Sequence, residues 1–186
     1  MPSGPQITIA RKSGTAALLK RVAGLTKLAA YVGVPASSSE DRSNQLLGMA
    51  AKTKSKKKRA KLQKAALSDV TNAELLFIHT KGSPKRHIPA RPVIEPAVAA
   101  DGNRQAIAHE IAASCKASLM NDNAKALARM QRAALAGQNA ARSWFTDGRN
   151  AWALNKPSTI AAKGSSRPLI DTGALRTSIQ GIVAEE

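Results

Sequence analysis

The sequence predicts an α+β, helix-rich fold: a small few-stranded sheet packed against long helices, with an extended basic loop. Three observations predict it. Two long runs, beginning at Asp101 and at Asn121–Asp122, carry apolar residues at three- and four-residue steps. The β-prone stretches are short and lie near the two ends, at Tyr31–Val34 and Ile179–Val183. Between the first strand and the next helix, residues 36–69 hold a dense basic tract with no clear apolar stripe. At 186 residues the chain is about one domain long. A lone hairpin is marginal in water, so the strands require helices packed on them. The expected organisation is an N-terminal arm at 1–13 and one domain over 14–186, with a basic excursion at 36–69.

Each element has a local reason. Pro2, Gly4 and Pro5 keep the arm irregular, although Ile7 and Ile9 alternate like a short edge strand. Thr15 to Ala30 reads as a helix, with Leu18, Val22, Leu25 and Ala29 on one stripe and Gly24 weakening it by about 1 kcal/mol. Tyr31-Val32-Gly33-Val34 is β-prone and Pro35 stops it. Ser37-Ser38-Ser39-Glu40-Asp41 has the composition of a turn or linker. Thr71 and Glu74 have capping-box spacing, and Gly82 is a natural stop for the helix they open. Pro84, Pro89 and Pro92 then impose a stiff, extended path.

Asp101 is placed to cap the next helix, whose expected face is Ile107, Ile111, Cys115 and Leu119. Asn121 or Asp122 caps the one after, with Leu127, Met130, Ala134, Ala141 and Phe145 on one face and Asp147-Gly148 at its end. Lys156–Thr159 and Lys163–Ser166 read as loops. A turn at Asp171-Thr172-Gly173 leads to the last strand, with Asp171 expected to accept backbone amides there.

Composition narrows the function. Subtracting 12 acidic from 29 basic residues leaves +17, which calls for an acidic or polyanionic neighbour. Aromatic residues make up 3%, too few for a base-stacking platform on single-stranded nucleic acid. One cysteine excludes an intrachain disulfide and a four-cysteine zinc site. No stretch reaches the roughly 20 apolar residues of a bilayer span. Lys20 and Arg21 interrupt the apolar run at Ala16–Leu19, so a soluble chain without a signal peptide and without membrane contact is expected.

Catalytic constellations are absent from the pattern. Leu169-Ile170-Asp171-Thr172-Gly173-Ala174 resembles the catalytic turn of retroviral-type aspartic proteases. That chemistry needs two such carboxylates sharing a proton and a strand-built core after the turn, but only 13 residues follow Gly173. His79, His87 and His109 lack the i, i+4 spacing of a helical zinc site. His109 falls off the apolar stripe of its helix, and Cys115 lies on it as a small hydrophobe. No phosphate-binding glycine loop occurs, and no cofactor or metal is expected. The basic tract of Lys52, Lys54, Lys56, Lys57, Lys58, Arg59, Lys61 and Lys64 reads either as a solvated loop or as a contact to DNA phosphate or an acidic protein.

Three segments, in order, resemble a tailed-phage morphogenesis family. Glu74–Pro84 is similar to its helix followed by Gly-[ST]-Pro. Ile88-Pro89-Ala90-Arg91-Pro92 is similar to its proline–arginine–proline signature. Lys156–Ile160, Lys163–Ser166 and Pro168–Ile179 are similar to its C-terminal signature. The likeness covers roughly residues 71–183. The family comprises the tail-terminator or tail-completion proteins of long-tailed bacteriophages, also described as virion-morphogenesis or head–tail joining proteins.

The resemblance implies a non-enzymatic α+β subunit of the phage neck or tail that assembles as a ring, commonly a homo-hexamer. Such a ring caps the tail tube and meets the head connector, with possible DNA-phosphate contact in the lumen. It implies a virion protein assembled in the host bacterial cytoplasm. A head-closure (stopper) protein is the nearest alternative, and a free basic nucleic-acid-binding protein is the alternative from another class. Pro89, Arg91, Pro92, Asp171 and Arg176 are the ring-interface candidates, and Arg91, held between prolines, is expected to pair with a carboxylate within the subunit or across the ring. The sequence departs from the family pattern in its long basic excursion and in Val93, where the pattern has an aromatic residue.

Overall fold

The computed structural model describes residues 15–25, 28–35, 38–68 and 70–185. In chain order the elements are α1 (Thr15–Leu25), β1 (Leu28–Gly33), α2 (Ser38–Lys52), α3 (Lys56–Ala66), α4 (Asn72–Lys81), α5 (Ile94–Ala99), α6 (Asp101–Leu119), α7 (Asn123–Trp144), α8 (Pro157–Lys163), α9 (Ala174–Ser178) and β2 (Gln180–Glu185). Short 3₁₀ turns occupy Pro84–Arg86 and Gly148–Asn150. The architecture is therefore α+β and helix-rich, as the sequence predicts. The arm at 1–13 lies outside the described residues.

The sheet joins the two ends of the domain. β1 and β2 pair antiparallel, with Leu28 opposite Glu185, Tyr31 opposite Ile182 and Gly33 opposite Gln180. Its inner face lies on α7 at unusually close range. A Cβ on Gly181 would stand 2.5 Å from the carbonyl carbon of Ala134, and one on Gly137 would stand 2.6 Å from Val32 Cγ2. Only glycine permits that approach at both points. The backbone amide of Gly181 also donates to Gln138 Oε1 at 3.0 Å. The outer face carries the cross-strand pair Tyr31 and Ile182, 44% and 50% exposed.

The main core gathers Leu76 of α4, Val93, Ala97 of α5, Ala141 and Trp144 of α7, Phe145, Trp152, Leu175 of α9 and Ile179. Phe145 and Trp152 meet edge to face, with ring centres 5.9 Å apart. Val93, the departure from the family pattern, is fully buried there. α6 and α7 form an antiparallel hairpin. Asp122 caps α7 by accepting from the Lys125 amide at 3.0 Å, Ser114 Oγ donates to Ala126 O at 2.7 Å, and Arg129 pairs with Glu110 at 3.1 Å. The Thr71–Glu74 capping box forms as expected, and Gly82 ends α4 at φ 73°.

Several expectations are corrected. The first helix stops at Leu25, and Leu28–Ala30 belong to β1, because pairing with β2 and burial on α7 outweigh local helix propensity. The 36–69 excursion is no extended loop. Ser38 already lies in α2, and Ser55 caps α3 through the Lys58 amide. Leu46 and Ala50 of α2 meet Leu62 and Ala66 of α3, and Ala174 of α9 closes this second cluster. A stripe of two residues per helix sufficed, since Lys, Ala and Gln are strong helix formers.

Asp101 does not cap α6; the flanking residue is Ala100, with no side-chain cap. The buried face of α6 centres on Ser114 and Ala117, leaving Ile111 and Leu119 exposed, because small residues let α6 and α7 approach closely. On α7, Met130, Ala134, Ala141 and Phe145 are buried but Leu127 is exposed; α7 ends at Trp144, and Asp147 caps the following 3₁₀ turn. Lys156–Thr159 opens α8, with Pro157 in its first turn. The Pro84–Pro92 path is not extended throughout. Ser83 and Ile88 form an antiparallel bridge around the 3₁₀ turn, and His87 is left-handed at φ 53°.

Candidate functional site

The chain reverses sharply after α4. The bridge between Ser83 and Ile88 brings Ala90 back over Gly82, where an added Cβ would stand 2.8 Å from Ala90 N. Arg91 N then donates to His79 O at 2.6 Å. This aims the Arg91 side chain inward, and the residue is 7% exposed. Its Nη2 and Nε donate to Ala153 O at 2.8 and 3.3 Å, and Nη2 reaches Asn155 Oδ1 at 3.4 Å. Trp152 Nε1 donates to Pro92 O at 3.1 Å, and Asn155 Nδ2 donates to Ser166 O at 3.0 Å. The expected Arg91–carboxylate pair is therefore replaced, within the subunit, by a clamp on carbonyls of the segment after α7. Carbonyl acceptors satisfy a guanidinium without the cost of burying a second charge.

The clamp floors an open cleft of about 830 Å³. His79, Arg86, His87, Arg91 and Lys156 line it, and none of the lining residues is acidic. Burial, and then the charges of Arg91 and Lys163, hold the His79 imidazole below its ordinary range. Burial likewise lowers Lys163, with Asp171 opposing and Arg91 and Lys61 adding to the effect. His79 Nδ1 is buried without a hydrogen-bond partner among the described residues.

The basic tract lies mostly on α3 and its approach. Lys61 Nζ pairs with Asp171 at 2.9 Å and reaches Ala162 O at 3.4 Å. Arg59 Nη2 donates to Thr53 O at 3.0 Å. Among the described residues, Lys52, Lys54, Lys56, Lys57, Lys58 and Lys64 make no ion pair, and all six are exposed. Lys57 and Lys64 project from one outer ridge of α3, about 10 Å apart along its axis. Asp171 is not the cap of α9; Thr172 Oγ1 accepts the Ala174 amide at 3.1 Å instead. That releases Asp171 to tether α3 through Lys61.

The candidate residues lie in different parts of the fold. Lys61 and Asp171 are brought together, Arg91 and Pro92 are held in the clamp, Pro89 lies exposed at the cleft and Arg176 is half-buried on α9. Nothing in the sequence grouped the cleft residues His79, Arg86, His87 and Lys156, because only the folding of 153–156 against 79–91 brings them close. Trp144, Phe145 and Trp152 are buried, leaving Tyr31 and Phe77 as the exposed aromatics. Among the described residues no group of three His, Cys, Asp or Glu is placed to hold a metal ion, and no helix is long and apolar enough to cross a membrane. Set against family models, curated proteins and solved structures, the chain matches none of them.

Proposed function

We propose that the chain is a non-catalytic structural subunit of the neck or tail of a long-tailed bacteriophage. In this reading its copies close a homo-hexameric ring that ends the tail tube and faces the head connector. One observation carries the reading. The segments on which the resemblance rests fall into two stretches far apart in sequence, 74–92 and 156–179, yet Leu76 of the first packs with Leu175 and Ile179 of the second in one buried cluster. Gly82 and Arg91 close on each other through His79 and Ala90, Arg91 grips Ala153 and Asn155, and Asn155 ties in Ser166.

The surface supports assembly as well. Tyr31 and Ile182 expose apolar area on the sheet, while Phe77 exposes it on α4. Two different patches are what a head-to-tail ring contact requires. Particles made without this protein test the reading. Overlong or headless tails support a terminator, whereas leaking, tailless heads transfer the proposal to a stopper. Normal infectious virions would overturn both.

The unpaired lysines of α3 favour a second reading, a free nucleic-acid-binding protein. A filter-binding titration of duplex DNA against salt separates the two. Under the second reading the isolated monomer binds tightly, and Lys57→Ala and Lys64→Ala each lower the salt slope by about 1. Weak binding with an unchanged slope removes it.

A further inference from the structure

We propose that the Arg86–Lys156 cleft is a docking site for an acidic, apolar peptide segment of another protein. The inference stands on the cleft itself and does not depend on the virion reading. Its chemistry is two-sided. One side presents cations: Arg86 and Lys156 make no side-chain hydrogen bond or ion pair among the described residues, and Arg91 Nη1 has no partner there after its other nitrogens are used. The other side is apolar, with Ile88, Pro89 and a Leu154 side chain 83% exposed at the rim. At about 830 Å³ the cleft takes several residues of extended chain.

The floor is already organised. Arg91 is fixed by its carbonyl clamp, and Pro84, Pro89 and Pro92 stiffen the rim. Little ordering entropy is then lost on binding. A phosphate backbone would use the cations and gain nothing from Leu154, Ile88 and Pro89, whereas a peptide alternating acidic and apolar side chains uses both.

The chain itself is a poor source of the occupant. Residues 1–14 contain no Asp or Glu. Of the 12 acidic residues, Glu74, Asp101, Glu110, Asp122, Asp147 and Asp171 are already engaged within the subunit. A separate acidic partner is what the +17 charge of the chain complements.

Fluorescence anisotropy of the full chain at physiological salt tests this. The probe is a fluorescein-labelled hexapeptide alternating leucine and glutamate. The controls are a glutamate–serine hexapeptide and a duplex of about 20 base pairs. The wild-type chain is expected to bind the leucine–glutamate probe. The double variant Arg86→Glu/Lys156→Glu should weaken it at least about tenfold, and Leu154→Ser should also weaken it. Lys57→Glu/Lys64→Glu, which changes net charge equally on the remote α3 ridge, should alter it less than about twofold.

Unchanged thermal midpoints show that these exposed substitutions leave the fold intact. Four outcomes overturn the proposal: no binding of the probe, equal loss in both charge-reversed variants, equal affinity for the glutamate–serine peptide, or duplex binding that is lost with Arg86 and Lys156 as strongly as probe binding.

Discussion

Replacing Gly181 with alanine places a methyl group where the structure has no room. The new Cβ would fall inside the van der Waals envelope of Ala134 O and stand 2.5 Å from Ala134 C. Optimal carbon–carbon separation is about 3.5–4.0 Å, so the strand must retreat by about 1 Å. The obstacle is helix backbone, which cannot rotate aside as a side chain can. A gap of that size forfeits about a quarter to a half of each contact it opens. It also stretches the 3.0 Å bond from Gly181 N to Gln138 Oε1.

Overpacking of this kind costs about 1–3 kcal/mol. At about 2–4 °C per kcal/mol for a chain this long, the melting midpoint should fall by about 2–12 °C. Gly33→Ala is the matched control. It lies on the same sheet, has nothing within 4 Å of the added Cβ and does not adopt positive φ. It should be neutral, or stabilise by up to about 1 kcal/mol through the unfolded chain. The assay is circular dichroism against temperature. If Gly181→Ala melts within about 1 °C of Gly33→Ala, the close packing of β2 on α7 is refuted.

Arg91→Ala should destabilise by about 1–3 kcal/mol in urea unfolding, because it strands the carbonyl of Ala153 and the amide oxygen of Asn155. Arg91→Lys should restore only part of that, since an ammonium lacks the planar fork; full restoration would show that charge alone matters. Thr71→Ala removes one half of the capping box on α4 and should cost about 1 kcal/mol by the same measurement. His79, held below its ordinary value of 6.5 by burial, Arg91 and Lys163, binds its proton more readily when the chain unfolds. The stability that neutral His79 contributes is therefore complete above that value and declines as the pH falls below it. The melting midpoint should drop between about pH 7 and pH 5, and His79→Gln should flatten the profile; an equally steep profile in the variant would count against the assignment.

Local signals were legible wherever the interaction closes within a turn or two. The Thr71–Glu74 box, the Gly82 stop and the Asp122 cap all lie where the sequence predicts them, because each partner sits within a few residues. Reading failed where a distant partner decided. Leu28–Ala30 look helical in isolation, yet Val183–Glu185 draw them into a sheet. The lysines of α3 look like a solvated loop, yet Leu62 and Ala66 find Leu46 and Ala50. Asp171 looks like a cap, yet Lys61 claims it from 110 residues away.

By itself, then, the sequence determined the class of the fold, a helix-rich chain with one strand near each end, together with the caps of α4 and α7 and its excess of positive charge. These follow from propensity, periodicity and composition, which need no partner. The tertiary structure alone decided that, within the subunit, Arg91 would face carbonyls rather than a carboxylate, and that its neighbours would form a cationic cleft beside exposed Leu154. Both depend on residues 153–156 folding back on 79–91. A side chain's partner is set by what the whole chain brings within about 3 Å of it, and spacing along the sequence carries no record of that distance.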